Sequence, residues 1–205
     1  NIMYLAGGND YQVILVTSGM GNDGKTFIAT NLGMSLALSG KRTVIIGMDL
    51  RKPRVARYLS VGVDQEGTGV TNYLVDTVDP ASLIFPSGLS PELFYIPSGP
   101  VPPNPAELLA GEKVEQLLGY LKEQFDYIVI DTAPIGLVTD AFMLSDYADV
   151  TLLPVRFGKT PQDVLEILEK ARRDQKLNNP AIVLNGVKSG KGYGYGYGYG
   201  YYDDT

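Results

Sequence analysis

The sequence predicts an α/β fold: a mostly parallel central sheet with helices on both faces. Three observations predict it. Short apolar, β-branched runs alternate along the chain with helix-like segments, as they do where parallel strands are joined by crossover helices. A glycine-rich loop links the first such run to the first such helix. The chain has 205 residues, 44% of them apolar, which suits one domain with a sizeable core and not two ordinary ones.

Residues 12–17 (QVILVT) form a continuous β-branched run between polar flanks, the mark of a buried strand. Residues 25–38 follow with Ile28, Leu32 and Leu36 at four-residue spacing, a helix with one apolar face, which Gly40 ends. Further strands are expected over 43–48, 93–96, 127–131, 150–155 and 181–184, and further helices over 105–124, 139–147 and 161–176. Residues 97–105 (PSGPVPPNP) hold too much proline for a helix or strand interior and predict an ordered surface loop. Residues 1–187 thus make one domain. In 188–205 Gly alternates with Tyr and the mixed apolar residues of a core are missing, so a disordered, flexible tail is expected.

Composition removes several mechanisms. With no Cys and no His, disulfides, zinc sites, thiolate nucleophiles and histidine bases are impossible. Chemistry must rest on carboxylates, Lys, Arg, backbone amides and a bound metal. The net charge of −6 argues against a nucleic-acid partner, which needs a basic face. No run approaches the ~20 apolar residues of a membrane helix, and nothing reads as a signal peptide. A cytosolic domain is the expectation.

Gly19-Met20-Gly21-Asn22-Asp23-Gly24-Lys25-Thr26 fits the phosphate-loop pattern G-x-x-x-x-G-K-S/T without a mismatch, between a predicted strand and a predicted helix. Gly19, Gly21 and Gly24 permit tight, positive-φ backbone, so successive N–H groups can converge on phosphate oxygens. The helix start, running into Phe27, adds its positive dipole end. In such a loop Lys25 reaches the β- and γ-phosphates of a nucleoside triphosphate and the Thr26 hydroxyl ligates Mg²⁺. Two acids end predicted strands, Asp131 after Tyr127-Ile-Val-Ile and Asp49 after Val44-Ile-Ile-Gly-Met. Strand ends of an open parallel sheet meet in one crevice, so Asp131 can serve the metal and Asp49 can approach the metal or an acceptor hydroxyl. Arg51 or Lys52 can neutralise developing phosphate charge.

Six of the fourteen tyrosines, Tyr193, Tyr195, Tyr197, Tyr199, Tyr201 and Tyr202, cluster in the tail. A hydroxyl-rich tail beside a phosphoryl-transfer loop reads as the phosphate acceptor. Each phosphate adds about −1.5 to −2, so a neutral tail can dock where a phosphorylated one is expelled. At about 3.3 Å per residue the tail spans roughly 50 Å, more than the radius of such a domain. Transfer within one chain and between chains therefore both stay open.

From residue 12 onward the chain resembles the cytoplasmic catalytic domain of the bacterial protein-tyrosine kinases of capsule and exopolysaccharide biosynthesis. Those resemble the partition and septum-placement ATPases, with their deviant Walker loop, and not eukaryotic kinases. The resemblance rests on Gly19 to Thr26, Asp49-Leu-Arg51-Lys-Pro, Ile128-Val-Ile-Asp131-Thr-Ala-Pro, Pro102-Pro-Asn-Pro-Ala-Glu-Leu-Leu109 and the tyrosine tail. It implies ATP and Mg²⁺ as cofactors, with Thr26, Asp49 and Asp131 serving the metal. It also implies catalytic roles for Lys25, Asp49, Asp131 and Arg51, and an adenine contact from Asn185. Implied partners are neighbouring subunits of a homo-oligomeric ring that phosphorylate one another's tails, an upstream or separate membrane-spanning activator, and a tyrosine phosphatase. The domain would then be the cytoplasmic part of a protein attached to the bacterial inner membrane.

Two departures stand out. Many relatives carry an acid where this chain has Gly47, which leaves Asp49 as the candidate base, or none. A loose phosphoryl-transfer transition state asks little of a base. The N-terminal Glu-x-x-Arg-x-x-Arg helix of the family is also missing, so the chain is expected to be a piece of a longer protein with weakened ring formation. The alternative is a nucleotide-switched positioning ATPase without kinase activity. Those relatives usually carry Lys where this chain has Met20, and have no tyrosine tail. Iron–sulfur reductases of the same superfamily need cysteines.

Overall fold

The computed structural model describes residues 11–59, 67–76 and 78–187. The tail and all six of its tyrosines lie outside the described residues. The elements run β1 (Val13–Val16), α1 (Lys25–Leu38), β2 (Thr43–Gly47), α2 (Val55–Leu59), α3 (Val70–Val75), a 3₁₀ turn (Pro80–Leu83), β3 (Phe85–Pro86), β4 (Leu93–Ile96), α4 (Pro105–Leu109), α5 (Glu112–Gln124), β5 (Tyr127–Asp131), α6 (Asp140–Ser145), β6 (Val150–Arg156), α7 (Gln162–Arg173) and β7 (Pro180–Asn185). They build one sheet of order β3-β4-β2-β5-β1-β6-β7. Every pairing is parallel except that of β3 with β4.

β1 shows why the centre of this sheet is apolar throughout. Alternate strand residues face opposite sides, and both sides are covered. Val13 and Leu15 enter a core with Val114, Leu117, Leu118 and Leu121 of α5. Ile14 and Val16 enter a second core with Ala29, Leu36 and Ala37 of α1. All four β1 side chains are fully buried, each stabilising the fold by about 2 kcal/mol.

The expected strands and helices all form, with ends shifted by a residue or a few, but three expectations need correction. The buried face of α1 is not centred on Ile28, Leu32 and Leu36. Thr26, Ala29, Thr30, Gly33, Leu36 and Ala37 are buried, while Ile28 and Leu32 only flank the core. Close approach to the sheet selects small residues here: a Cβ on Gly33 would stand 2.5 Å from Ile45 Cδ1. Residues 105–124 form two helices and not one. Leu109 and Val114 both point into the core, yet five residues of continuous helix would set them about 140° apart. Gly111, extended at φ −80° and ψ 153°, redirects the chain between them. The proline-rich loop is ordered, but it is only partly at the surface: Pro97, Ser98 and Pro102 are buried. The carbonyls of Pro97 and Ser98 accept from Val70 and Thr71 N–H at 2.9 Å each, satisfying free amides at the start of α3.

The register sets the site. Asp131 pairs with Val16 on one side and Gly47 on the other. The carboxyl ends of β1, β2 and β5 therefore meet at one point. There the connections diverge, β1 leading to β2 on one flank while β6 and β7 continue the other, the place where open α/β sheets bind ligands.

Candidate active site

The loop between β1 and α1 takes two left-handed residues, Asn22 (φ 72°) and Gly24 (φ 97°). Asn tolerates that region better than most residues. At Gly24 a Cβ would also lie 2.2 Å from Asn185 Nδ2. Neither Gly19 nor Gly21 takes a positive φ, so these two glycines act otherwise than expected. A Cβ on Gly19 would stand 2.2 Å from Val164 Cγ1, so this glycine lets α7 close on the loop. At Gly21 a Cβ would meet nothing within 4 Å, which leaves bare backbone facing the cleft.

Lys25, Thr26, Asp49 and Asp131 converge beneath this loop. Lys25 Nζ lies 3.1 Å from Asp49 Oδ2 and 3.7 Å from Asp131 Oδ1. The Thr26 hydroxyl donates to Asp131 Oδ2 at 2.8 Å. Asp49 Oδ1 accepts from Lys52 N–H at 2.9 Å, fixing the turn after β2. Burial pushes the Asp131 carboxyl from its ordinary 3.8 up to about 6, against the pull of the Lys25 charge and the Thr26 hydroxyl. Asp131 Oδ1 is buried and makes no hydrogen bond. An orphaned carboxylate oxygen, a hydroxyl and a second carboxylate are an all-oxygen donor set suited to Mg²⁺. No three acidic side chains among the described residues are grouped so as to hold a metal ion by themselves, and Mg²⁺ needs only one or two carboxylates alongside substrate phosphates.

The other flank of the loop is held by hydrogen bonds, with no ion pair among them, around one acid. Asp23 is 2% exposed. Its carboxylate accepts from the Thr160 hydroxyl at 2.7 Å and from Met20 N–H at 3.3 Å. Asn185 Nδ2 donates to Asp23 O at 2.9 Å, and Arg156 Nη1 to Asn22 O at 3.2 Å. The segment after β5 closes the rim, with Ile135 N–H donating to Ser18 O and Gly136 N–H to Gly19 O.

A cleft of about 470 Å³ opens over these groups, lined by Gly21, Asn22, Gly24, Lys25, Thr26, Phe27, Asp49 and Asn185 among the expected residues. Gly19, Met20, Asp23 and the buried Asp131 are not among its lining residues. Arg51 is not brought to the cleft. Its guanidinium grips the fully buried Asp140 with two hydrogen bonds, Nε to Oδ2 at 2.9 Å and Nη2 to Oδ1 at 3.1 Å. This bond to Asp140 raises the Arg51 pKa further. Lys52, the other cation named for that role, does line the cleft. Arg54, Tyr58 and Arg156 line it unforeseen. Arg156 ends β6 as Asp131 ends β5, so the crevice rule, applied to every strand, would have found it.

Gly47 has its own cause. A Cβ there would stand 2.5 Å from Ser98 Oγ and 3.2 Å from Ser98 N. The ordered proline loop occupies the space an acidic side chain would need.

Comparison with known proteins agrees with this architecture. Residues 11–182 match the family described as AAA domain. The chain is 33% identical over 182 residues to the tyrosine-protein kinase CpsD of Streptococcus agalactiae, covering 88% of this chain and 76% of that one. It is 36% identical over 171 residues to the tyrosine-protein kinase ptk of Acinetobacter johnsonii, covering 83% of this chain but only 23% of that protein's length. The kinase domain of the Escherichia coli tyrosine kinase ETK superposes with a TM-score of 0.84 at 28% identity, covering 97% of this chain and 77% of that one. No helix among the described residues is long and apolar enough to cross a membrane. With its nucleotide-binding loop, its paired strand-end aspartates and these relatives, the chain belongs to the bacterial tyrosine-protein kinases, built on an AAA-type domain.

Proposed function

We infer that the chain is an ATP-dependent autokinase that transfers the γ-phosphoryl group of ATP to tyrosines 193–202 of its tail. The observation that carries this reading is the convergence of Lys25, Thr26, Asp49 and Asp131 under the bare backbone of the loop. Asn185 and Arg156, which line the cleft on the β6 and β7 side of the loop, suit the base end of the nucleotide, and the loop amides suit its phosphates. Mg²⁺ would be held by Thr26, Asp131 and Asp49, and supplies charge neutralisation and alignment of the phosphates. Lys25 lies between the two carboxylates, where its Nζ can turn to the phosphate oxygens. In the transfer a tyrosine oxygen forms a bond to the γ-phosphorus as the bond to the β-bridging oxygen breaks, and ADP leaves. Asp49 is the candidate to take the phenolic proton, and a loose transition state asks little of a base, so the proton can also pass to water.

The relatives' names, a tyrosine-protein kinase CpsD and one in a cps region, support a role in regulating polysaccharide synthesis or export; a membrane-spanning activator, neighbouring subunits and an opposing phosphatase are the partners this role calls for. Domain organisation follows the same reading, with a kinase domain through residue 187 and an acceptor tail after it. Incubation with Mg²⁺ and ATP, followed by phosphosite mapping, tests it. Label on 193–202 is expected. ATP hydrolysis without that label favours the positioning-ATPase reading. A Lys25→Met chain with its tail intact, mixed with an active chain whose tail tyrosines are Phe, becomes labelled only if transfer runs between molecules.

A further inference from the structure

One edge of the sheet is unusual. β7 pairs only with β6 among the described residues. Thr151 N–H donates to Asn179 O and Phe157 N–H to Asn185 O, so the odd residues of β7 turn their backbone groups toward β6. The N–H and C=O of Ile182 and Leu184 therefore face outward. Their side chains are 65% and 57% exposed. They share a sheet face with their partners Leu153 and Val155, which α7 covers through Leu168 and Ala171. Native edges are normally blunted by charge, proline or a covering segment. Among the described residues no strand or segment pairs with this apolar edge, and the chain continues from its end.

What continues is a segment of matching period. From residue 193 to 201 every second residue is tyrosine and the residues between are glycine. A strand puts alternate residues on one face, so such a segment would form a ribbon with aromatic rings on one side and none on the other. Gly186, left-handed at φ 71°, already turns the chain out of β7, and Gly190 and Gly192 follow.

We propose that the unphosphorylated tail folds back as an added antiparallel strand on its own β7 edge, laying Tyr195 opposite Leu184 and Tyr197 opposite Ile182. Setting tyrosines opposite Leu184 and Ile182 puts the rings on the apolar side of the edge, and a one-residue slip would reverse them. Main-chain bonds supply the affinity, as in other strand additions, and aromatic–aliphatic cross-strand pairs add to it. Glycine weakens a strand, which keeps the contact reversible. A phosphate on either ring would place about −1.5 to −2 of charge against Leu184 or Ile182 and release the strand. The docked tail is a resting state that withholds its hydroxyls from the cleft. The inference stands whether or not the tail is the acceptor.

Residue-resolved amide exchange on the full, unmodified chain tests it. The Ile182 and Leu184 amides should exchange at least about 10-fold more slowly than in a chain carrying Tyr195→Pro and Tyr197→Pro, because proline offers no N–H to the ladder. Tyr195→Glu with Tyr197→Glu should lose the same protection. Exchange at Ile182 and Leu184 that is equal in the unmodified and proline chains overturns the proposal. So does protection that grows with protein concentration, which would assign the edge to a second copy.

Discussion

The two flanks of the phosphate loop are built on different principles. On the β2 and β5 side, one lysine faces two carboxylates within 3.7 Å, and Asp131 is held at a raised pKa by burial. On the β6 and β7 side, a web of hydrogen bonds links Asp23, Thr160, Met20 and Asn185 without an ion pair among them. The first flank stores electrostatic tension that a divalent cation and phosphates relieve. The second fixes shape. Substitutions on the first should change chemistry, and those on the second should change affinity and stability.

The largest expected effect is Lys25→Met. Removing the cation that meets developing phosphate charge should cut autophosphorylation about 10²–10³-fold, read as label incorporated per minute under saturating ATP. A loss of less than 10-fold would place the chemistry elsewhere. Asp131→Asn should separate activity from stability. Folded Asp131 keeps its proton up to about pH 6 while the unfolded carboxyl releases it near 3.8. Unfolding therefore releases a proton between these values, and stability falls as pH rises through that window, by about 3 kcal/mol. Asn cannot ionise, so the variant should melt several degrees higher than the parent at pH 8. That gain should shrink to nothing by pH 4, with phosphotransfer lost throughout. A variant less stable at pH 8 would sink this account.

Arg51→Ala tests whether that arginine is structural. It strands the fully buried Asp140. Breaking a wholly buried pair costs 3–5 kcal/mol, and because Arg51 itself is partly exposed a loss of about 2 kcal/mol is expected in denaturant unfolding. An equal fall in kcat with no loss of stability would instead place Arg51 in the transfer step. The smallest effect belongs to Thr160→Val, which removes one donor to Asp23. It should cost about 1 kcal/mol and raise KM for ATP a few-fold, with kcat little changed.

The same two flanks divide what could be read beforehand. Lys25, Thr26, Asp49 and Asp131 stand in short motifs tied to strand ends, so local spacing exposed them. The hydrogen bond from Thr160 to Asp23 joins residues 137 apart in the chain, and no periodicity connects them. Arg51 misled because its motif neighbours enter the cleft while its own side chain turns to Asp140. α2 and α3 are too short for a helical period to register. The buried face of α1 was displaced because tertiary approach, set by Gly33 against Ile45, outweighed the larger apolar residues. Gly47 showed the absence of an acid, but only the position of Ser98 shows why.

The insertion of β5 between β1 and β2 has a kinetic consequence. β1 and β2, consecutive in the chain, are not neighbours in the sheet, and the Thr26–Asp131 bond closes a separation of 105 residues. Such long-range pairing is slow to form, because loop-closure entropy is lost before contacts compensate. During synthesis, the stretch through α5 emerges with the inner edges of both β1 and β2 unpaired. The phosphate loop thus exists as a sequence well before it exists as a site. A nascent or truncated chain lacking β5 should be unable to hold a triphosphate, so catalytic competence arrives late in folding and all at once.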